Sequence, residues 1–294
     1  LVYILNNFPK SYIYLGLSMM FTITMVSLDG MLQYLSGVNI FGWSSGSPER
    51  TSGFFRDELI IGKFISHILP IGLSLLIISY KFRYNILSIL TFLLIILNSV
   101  VVFLSGERGS FFYVCLFFII SSFVYGKKTI IPSLFFFLLS SIVIIFFILN
   151  SSTNNFAYSI KDRMFDTTLS QITSNKIPYM PYSPHHEAHY ISALKMFKDN
   201  IFFGQGPNVF RKLCDQDKYY YENSCSTHPH NFYIQLLAET GLVGFSFLFF
   251  PFFLISKKIF YHFISNIYEV RKKWRLKKEL ILPYVALFTF LWPL

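Results

Sequence analysis

The sequence predicts an all-α protein: a polytopic bundle of transmembrane helices with one large, mostly helical loop on the outer side of the membrane. Three observations predict it. The 294 residues are 53% hydrophobic and only 14% charged, with mean hydropathy +0.51, whereas a soluble domain carries about a quarter charged residues. Apolar runs long enough to cross a bilayer, about 17–25 residues, recur along the chain. Lysine and arginine collect in alternate connections between those runs, the pattern that orients membrane proteins.

The runs fall near Ser11–Leu28, Leu59–Ser79, Ile86–Leu104, Ser110–Tyr125, Thr129–Leu149 and Gly241–Ser256, and a further one starts near Leu280. Together they make about seven spans. Lys10, then Lys81 and Arg83, then Lys127 and Lys128, then the stretch from Lys257 to Lys278 with its RKKWRLKK patch occupy alternate connections. The positive-inside rule places these in the cytoplasm. Asp29–Glu58, Ser105–Gly109 and Asn150–Asn231 then lie outside. The organisation expected is N-terminal spans over 1–149, a large outer loop over 150–231, and C-terminal spans with a basic connection over 232–294. The first residue is not Met and the last lies in an apolar run, so the sequence reads as a piece of a longer protein. The net charge of +10 does not point to nucleic acid, because the charges flank apolar runs and no zinc-finger, RNA-binding or nucleotide motif is present.

The outer segment Asn150–Asn231, roughly eighty residues, exceeds the usual loop length by far, and loops of that size carry function or are disordered. Aromatic residues throughout argue for order. YISALKMFKDN places Tyr190, Ala193, Leu194 and Phe197 at helical spacing, and FFGQGPNVFR supplies Gly204, Gly206 and Pro207 as turn residues. Cys115 sits in a membrane run and reads as packing. Cys214 and Cys225 share the outer loop, where an oxidising compartment permits a disulfide contributing roughly 2–3 kcal/mol; a pair of unrelated thiols is the alternative.

Five of seven histidines, His185, His186, His189, His228 and His230, lie in the outer loop. HHEAH with HPH could furnish imidazoles for a metal, but the spacing is not H-E-x-x-H and no carboxylate completes a ligand set. The expectation is no metal, with His185 and His228 as structural polar residues. His230 differs in the residues on its C-terminal side. A helix starting near Asn231 puts Asn231, Gln235 and Glu239 at i, i+4 and i+8 on one face, and Gly241 and Gly244 would let a neighbouring helix come close. The result is a polar stripe headed by an imidazole, and polar groups near membrane depth usually face a cavity or a partner. The alternative is an interfacial helix whose polar face meets water.

Arg108, in LSGERGSFF, is an arginine on the side that should be poor in them. Small residues leave room beside it, and a sheltered guanidinium suits phosphate; a local ion pair with Glu107 is the competing reading. Arg50, Arg56, Lys161, Arg163, Lys195, Arg211 and Lys212 add outer positive charge. An anionic substrate at the outer surface unifies these. No ATP is available there, so synthesis needs an already activated donor. A sugar on a lipid diphosphate is one; its leaving group needs charge stabilisation, and the acceptor hydroxyl needs a base such as histidine.

These residues carry a resemblance. His230-Asn231, nine residues, Gly241, two residues and Gly244 resemble the signature of the bacterial O-antigen ligase and O-antigen polymerase superfamily. SGERGSFF after a span, FGQGPNVFR ahead of the histidine, and DGMLQYLSGVNIFG with RTSGFFRDE agree in order, from about Asp29 to Leu294. The resemblance implies a multi-pass enzyme of the bacterial inner membrane, with the large loop in the periplasm. It implies transfer of a glycan from an undecaprenyl diphosphate carrier to a lipid A core, glycan or protein acceptor, with membrane lipid as surroundings and no metal or nucleotide cofactor. Carried over by position, His230 is the base that activates the acceptor and Arg108 a diphosphate-binding group. Arg50, Arg163, His186, Arg211, Asn231 and Glu239 are the further substrate-binding candidates. One departure stands: family members often carry an arginine roughly where His186 lies; Arg163, Arg211 and protonated His186 are the candidates for that charge, and the second arginine role is left unassigned. The competing classes are a flippase for lipid-linked sugars, which needs binding groups near the midplane of nearly uncharged spans, and a receptor with an outer sensor loop.

Overall fold

The computed structural model describes residues 11–47, 50–79, 86–125, 142, 159–160, 162–174, 184–267 and 275–293. The expected span Thr129–Leu149, apart from Ile142, lies outside these residues. So do the flanking charges Lys10, Lys81, Arg83, Lys127 and Lys128, Lys161, and the RKKW half of the basic patch. Among the described residues every regular element is helical: α1 (Ser11–Ser36), α2 (Ile61–Ser79), α3 (Ile86–Leu104), α4 (Arg108–Tyr125), α5 (Thr167–Ser174), α6 (Pro184–Asp199), α7 (Phe210–Leu213), α8 (Phe232–Ile267) and α9 (Lys278–Phe290). Two of them, α1 and Phe232–Asn266 of α8, are long and apolar enough to cross a membrane. Ile61–Leu76, Leu90–Leu104, Arg108–Val124 and Leu280–Phe290 are apolar but shorter.

The chain divides into two compact units, residues 1–167 with 258–290, and residues 168–257 with 291–294. In the first, α1 runs well past the expected end at Leu28, to Ser36. The reason lies in two polar residues that the extra turns carry. Gln33 accepts the backbone N–H groups of Ser52 and Gly53 at 2.9 and 2.8 Å and donates to the Trp43 carbonyl at 3.1 Å. Asp29 accepts the N–H of Ile40 at 3.0 Å. Both side chains are buried, and buried polar groups demand partners. The connection after α1 therefore folds back over the helix end and satisfies them. Deeper down, Ser27 donates to Asn98 at 2.9 Å, a polar tie between α1 and α3 of the kind that holds apolar helices together. Tyr34, Val100, Phe103, Leu104, Ile160 and Met164 form the buried cluster beside it.

The second unit is built on α6. Tyr190, Ala193 and Met196 are buried, whereas Leu194 and Phe197 are half-exposed, so the buried face is turned slightly from the one the spacing predicts. Ala193 and Met196 pack with Phe210, Cys214, Tyr219 and Ala238. The Cys214–Cys225 disulfide, with Cα atoms 5.2 Å apart, closes this core.

Helix α8 is broken at Gly241, whose φ of 62° and ψ of −161° are non-helical. The expectation that Gly241 admits a neighbouring helix is corrected here. It is approached instead by the 201–206 turn: a Cβ on Gly241 would sit 2.4 Å from the Phe202 carbonyl, and one on Gly204 2.5 Å from the Glu239 carbonyl carbon. Four backbone hydrogen bonds zip the two stretches together. Gln205 and Gly206 donate to the Ala238 and Glu239 carbonyls, each at 2.9 Å, and Leu242 and Val243 donate to those of Ile201 and Phe202 at 2.8 and 3.2 Å. The turn thus satisfies groups that the break leaves without helical partners.

Candidate functional site

The site candidates form two groups, one in each unit. In the first unit the short connection Ser105–Gly109 is the organiser. The Glu107 carboxylate accepts the N–H groups of Gly62 and Lys63 at 2.9 and 3.1 Å and the Ser110 hydroxyl at 3.0 Å. It thereby caps the start of α2, where helical N–H groups lack partners and negative charge is favoured. Burial nevertheless raises its pKa, against the opposing pull of Ser110, Arg50, Gly62 and Lys63. Arg50 is held beside it: Nε donates to the Ser105 carbonyl at 3.2 Å, Nη2 to the Leu59 carbonyl at 2.6 Å, and Nη2 lies 3.6 Å from Glu107. The ion pair weighed for Arg108 is thus made by Arg50. Arg50 ties the Ser105–Gly109 connection to the residues just ahead of α2.

Arg108 sits at the head of α4 and meets like charge. That charge is the guanidinium of Arg163, close enough for the two to interact. Arg163 is aimed at the same connection, donating from Nε to the Gly106 carbonyl at 2.9 Å. It rests on the short π-helical turn Asp162–Asp166. Two guanidinium groups brought together at a half-buried helix start concentrate positive charge there.

In the second unit His230 is the centre. It ends the loop just before α8 with φ of 61°, one of four described non-glycine residues at positive φ. A side chain in that region is strained, and such strain gathers at functional sites. Asn231 is the helix cap, its Oδ1 accepting the Ile234 N–H at 3.1 Å while Nδ2 donates to the Pro293 carbonyl at 3.3 Å. The cap fixes where α8 begins and so where the imidazole stands. Around His230 are the rings of His228, His186 and His189, with centroids 4.3, 5.4 and 5.4 Å away. His189 is only 7% exposed, and its Nδ1 is 2.7 Å from the Ser224 carbonyl. That carbonyl can only accept, so Nδ1 carries the proton there. Among the described residues no three His, Cys, Asp or Glu side chains are grouped so as to hold a metal ion.

The structure thus brings two of the candidates, His186 and His230, together, and adds His189 and His228, which the sequence leaves outside the candidate set. A signal for His189 is present in the chain: with His186 it forms an i, i+3 pair on one helix face. The His185 side chain lies outside the described residues. The stripe expected along α8 is only partly one site. Glu239, 7% exposed, accepts the Phe210 N–H and the Gln235 amide, both at 3.2 Å, so its carboxylate fastens the 202–213 stretch to α8. Arg211 is exposed and donates to the Asn208 side chain. Beside Asn231 opens a cavity of about 290 Å³, walled by Tyr190, Tyr233, Leu237, Phe245 and Phe249. Its walls suit a hydrocarbon chain rather than a sugar.

Searches among curated proteins and among solved structures return no match. A family model described as O-Antigen ligase matches residues 91–249. That is more than half of the 294 residues, and it takes in Arg108, Arg163, the disulfide, all four clustered histidines and both glycines of the His-Asn signature. By this match the chain belongs to the O-antigen ligase family.

Proposed function

We propose that this protein is a glycosyltransferase of the bacterial inner membrane, moving a glycan from an undecaprenyl diphosphate carrier to an acceptor hydroxyl at the periplasmic face. The observation that carries the reading is the imidazole of His230, exposed, held at positive φ and ringed by three further histidines. In the reaction the acceptor oxygen attacks the anomeric carbon while the bond from that carbon to the diphosphate oxygen breaks. The hydroxyl proton passes to His230, and the electron pair leaves on the diphosphate. General-base help of this kind is worth roughly 10²–10⁴-fold.

Arg108 and Arg163 take the diphosphate in this proposal, because together they concentrate positive charge and a guanidinium matches phosphate geometry. His186, when protonated, adds positive charge beside the base. The apolar cavity next to Asn231 suits isoprenoid carbon. About seven spans cross the membrane in this reading, with the four shorter apolar helices and the Thr129–Leu149 run among them, and residues 150–231 lie in the periplasm. The test is complementation of a strain lacking the protein. Wild type restores the long surface glycans, and His230→Ala and Arg108→Ala, expressed at the wild-type level, do not. Restoration by His230→Ala would remove the base from this scheme.

A further inference from the structure

Three consecutive large apolar side chains stand out of the second unit, Ile201, Phe202 and Phe203, the last two 65% and 70% exposed. They occupy the turn just after α6. Turns that merely connect helices carry polar residues and glycine. The stretch before this one obeys that rule, with Lys198, Asp199 and Asn200 all exposed.

The position of the turn says what covers it. Leu242 and Val243 donate backbone hydrogen bonds to the carbonyls of Ile201 and Phe202, so the turn lies alongside the first residues after the α8 break. Those residues open the long apolar stretch whose most hydrophobic window is only 17% buried. Leu242, Val243, Phe247 and Phe250 are exposed as well. The exposed surface of the turn is therefore continuous with the outward surface of the helix. Large apolar side chains such as Phe, set beside a polar stretch, are the composition of a segment that lies in the membrane–water boundary.

We propose that Ile201–Phe203 is a wedge that inserts into the acyl–headgroup boundary of the lipid leaflet beside the head of this helix. It fixes the depth at which the second unit holds His230. The partner is lipid, taken up by apolar burial and not by headgroup charge. This inference rests on the reading that the Gly241–Ile267 part of α8 crosses the membrane.

The experiment uses tryptophan fluorescence of the full chain in phosphatidylcholine vesicles, with Trp43, Trp274 and Trp292 replaced by Phe. One variant then carries Phe203→Trp and another, reporting on the helix, Phe253→Trp. Closure of the Cys214–Cys225 bond to thiol reagents verifies that each is folded, and Phe202→Trp replaces Phe203→Trp if that variant fails the check. Expected is loss of emission from the probe at 203 with lipid brominated near the headgroup end of the chains and from the probe at 253, roughly 15 Å further along the helix, with lipid brominated near the methyl end, and little loss from aqueous iodide in either. A Phe203→Trp probe quenched by iodide and not by bromolipid overturns the wedge while Phe253→Trp, still quenched by bromolipid, upholds the span. A probe at 203 shielded from both quenchers overturns it too, because protein, such as a second copy, then covers the turn. Absence of bromolipid quenching at 253 overturns the membrane reading itself.

Discussion

Replacing Gly241 by alanine tests how the loop carrying the histidines is fastened to α8. At φ 62° and ψ −161° the residue lies where side chains scarcely go, a strain of roughly 2 kcal/mol. The new Cβ would also lie 2.4 Å from the carbonyl carbon and oxygen of Phe202. These are backbone atoms and cannot rotate away, so the turn must retreat. Its retreat breaks the bonds from Leu242 and Val243 to Ile201 and Phe202, at about 1 kcal/mol net for each. The sum, about 4 kcal/mol, corresponds to about a thousandfold change in an opening equilibrium. Amide hydrogen exchange measures that opening directly. In Gly241→Ala the amides of Gln205, Gly206, Leu242 and Val243 should exchange about a thousandfold faster than in wild type. Gly109→Ala is the control, since nothing lies within 4 Å of its added Cβ, and it should leave those amides unchanged. Wild-type protection in Gly241→Ala would refute the view that the 201–206 turn is what the glycine admits.

Three further outcomes rest on the same structure. Opening the Cys214–Cys225 bond with Cys→Ser at both positions releases a loop with sequence separation 11, at about 3 kcal/mol by loop entropy, and a fall in the thermal midpoint of the loop's near-ultraviolet circular dichroism reads it. Asn231→Ala removes the cap of α8 and should lower stability by about 1 kcal/mol, while Asn231→Ser, which keeps a capping oxygen, recovers most of it; equal loss in both would contradict the capping role. Glu107 binds its proton more tightly in the folded chain, because burial raises its pKa. Its contribution is therefore full below the unfolded value and fades as pH rises through the folded one. The thermal midpoint of Glu107→Gln should decline less than that of wild type over that acid range, and parallel curves would contradict the assignment.

Much of this is legible in the residues. Apolar runs and the paucity of charge point to the helical class, and the His-Asn to Gly-x-x-Gly spacing leads to the family, because local sequence fixes both. Pairings between distant stretches are hidden from it. Arg108 stands next to Glu107 in the chain, yet it is Arg50 that reaches Glu107, through a fold-back that Gln33 and Asp29 anchor from within α1. Gly204 and Gly241 each read as a local turn or packing glycine, whereas each makes room for the other's segment. His228 looks dispensable two residues from His230, but the positive φ of His230 leaves the two rings 4.3 Å apart. Backbone conformation at one residue decides that, and no periodicity reports it.

The central claim is that His230 is the base of a glycan transfer, and direct transfer tests it most closely. Membrane vesicles containing the full chain are given a polyprenyl diphosphate-linked labelled glycan together with a candidate acceptor. The account predicts label on the acceptor with wild type and a loss of roughly 10²–10⁴-fold in rate with His230→Ala, the Cys214–Cys225 bond remaining closed. Transfer by His230→Ala at the wild-type rate would contradict it.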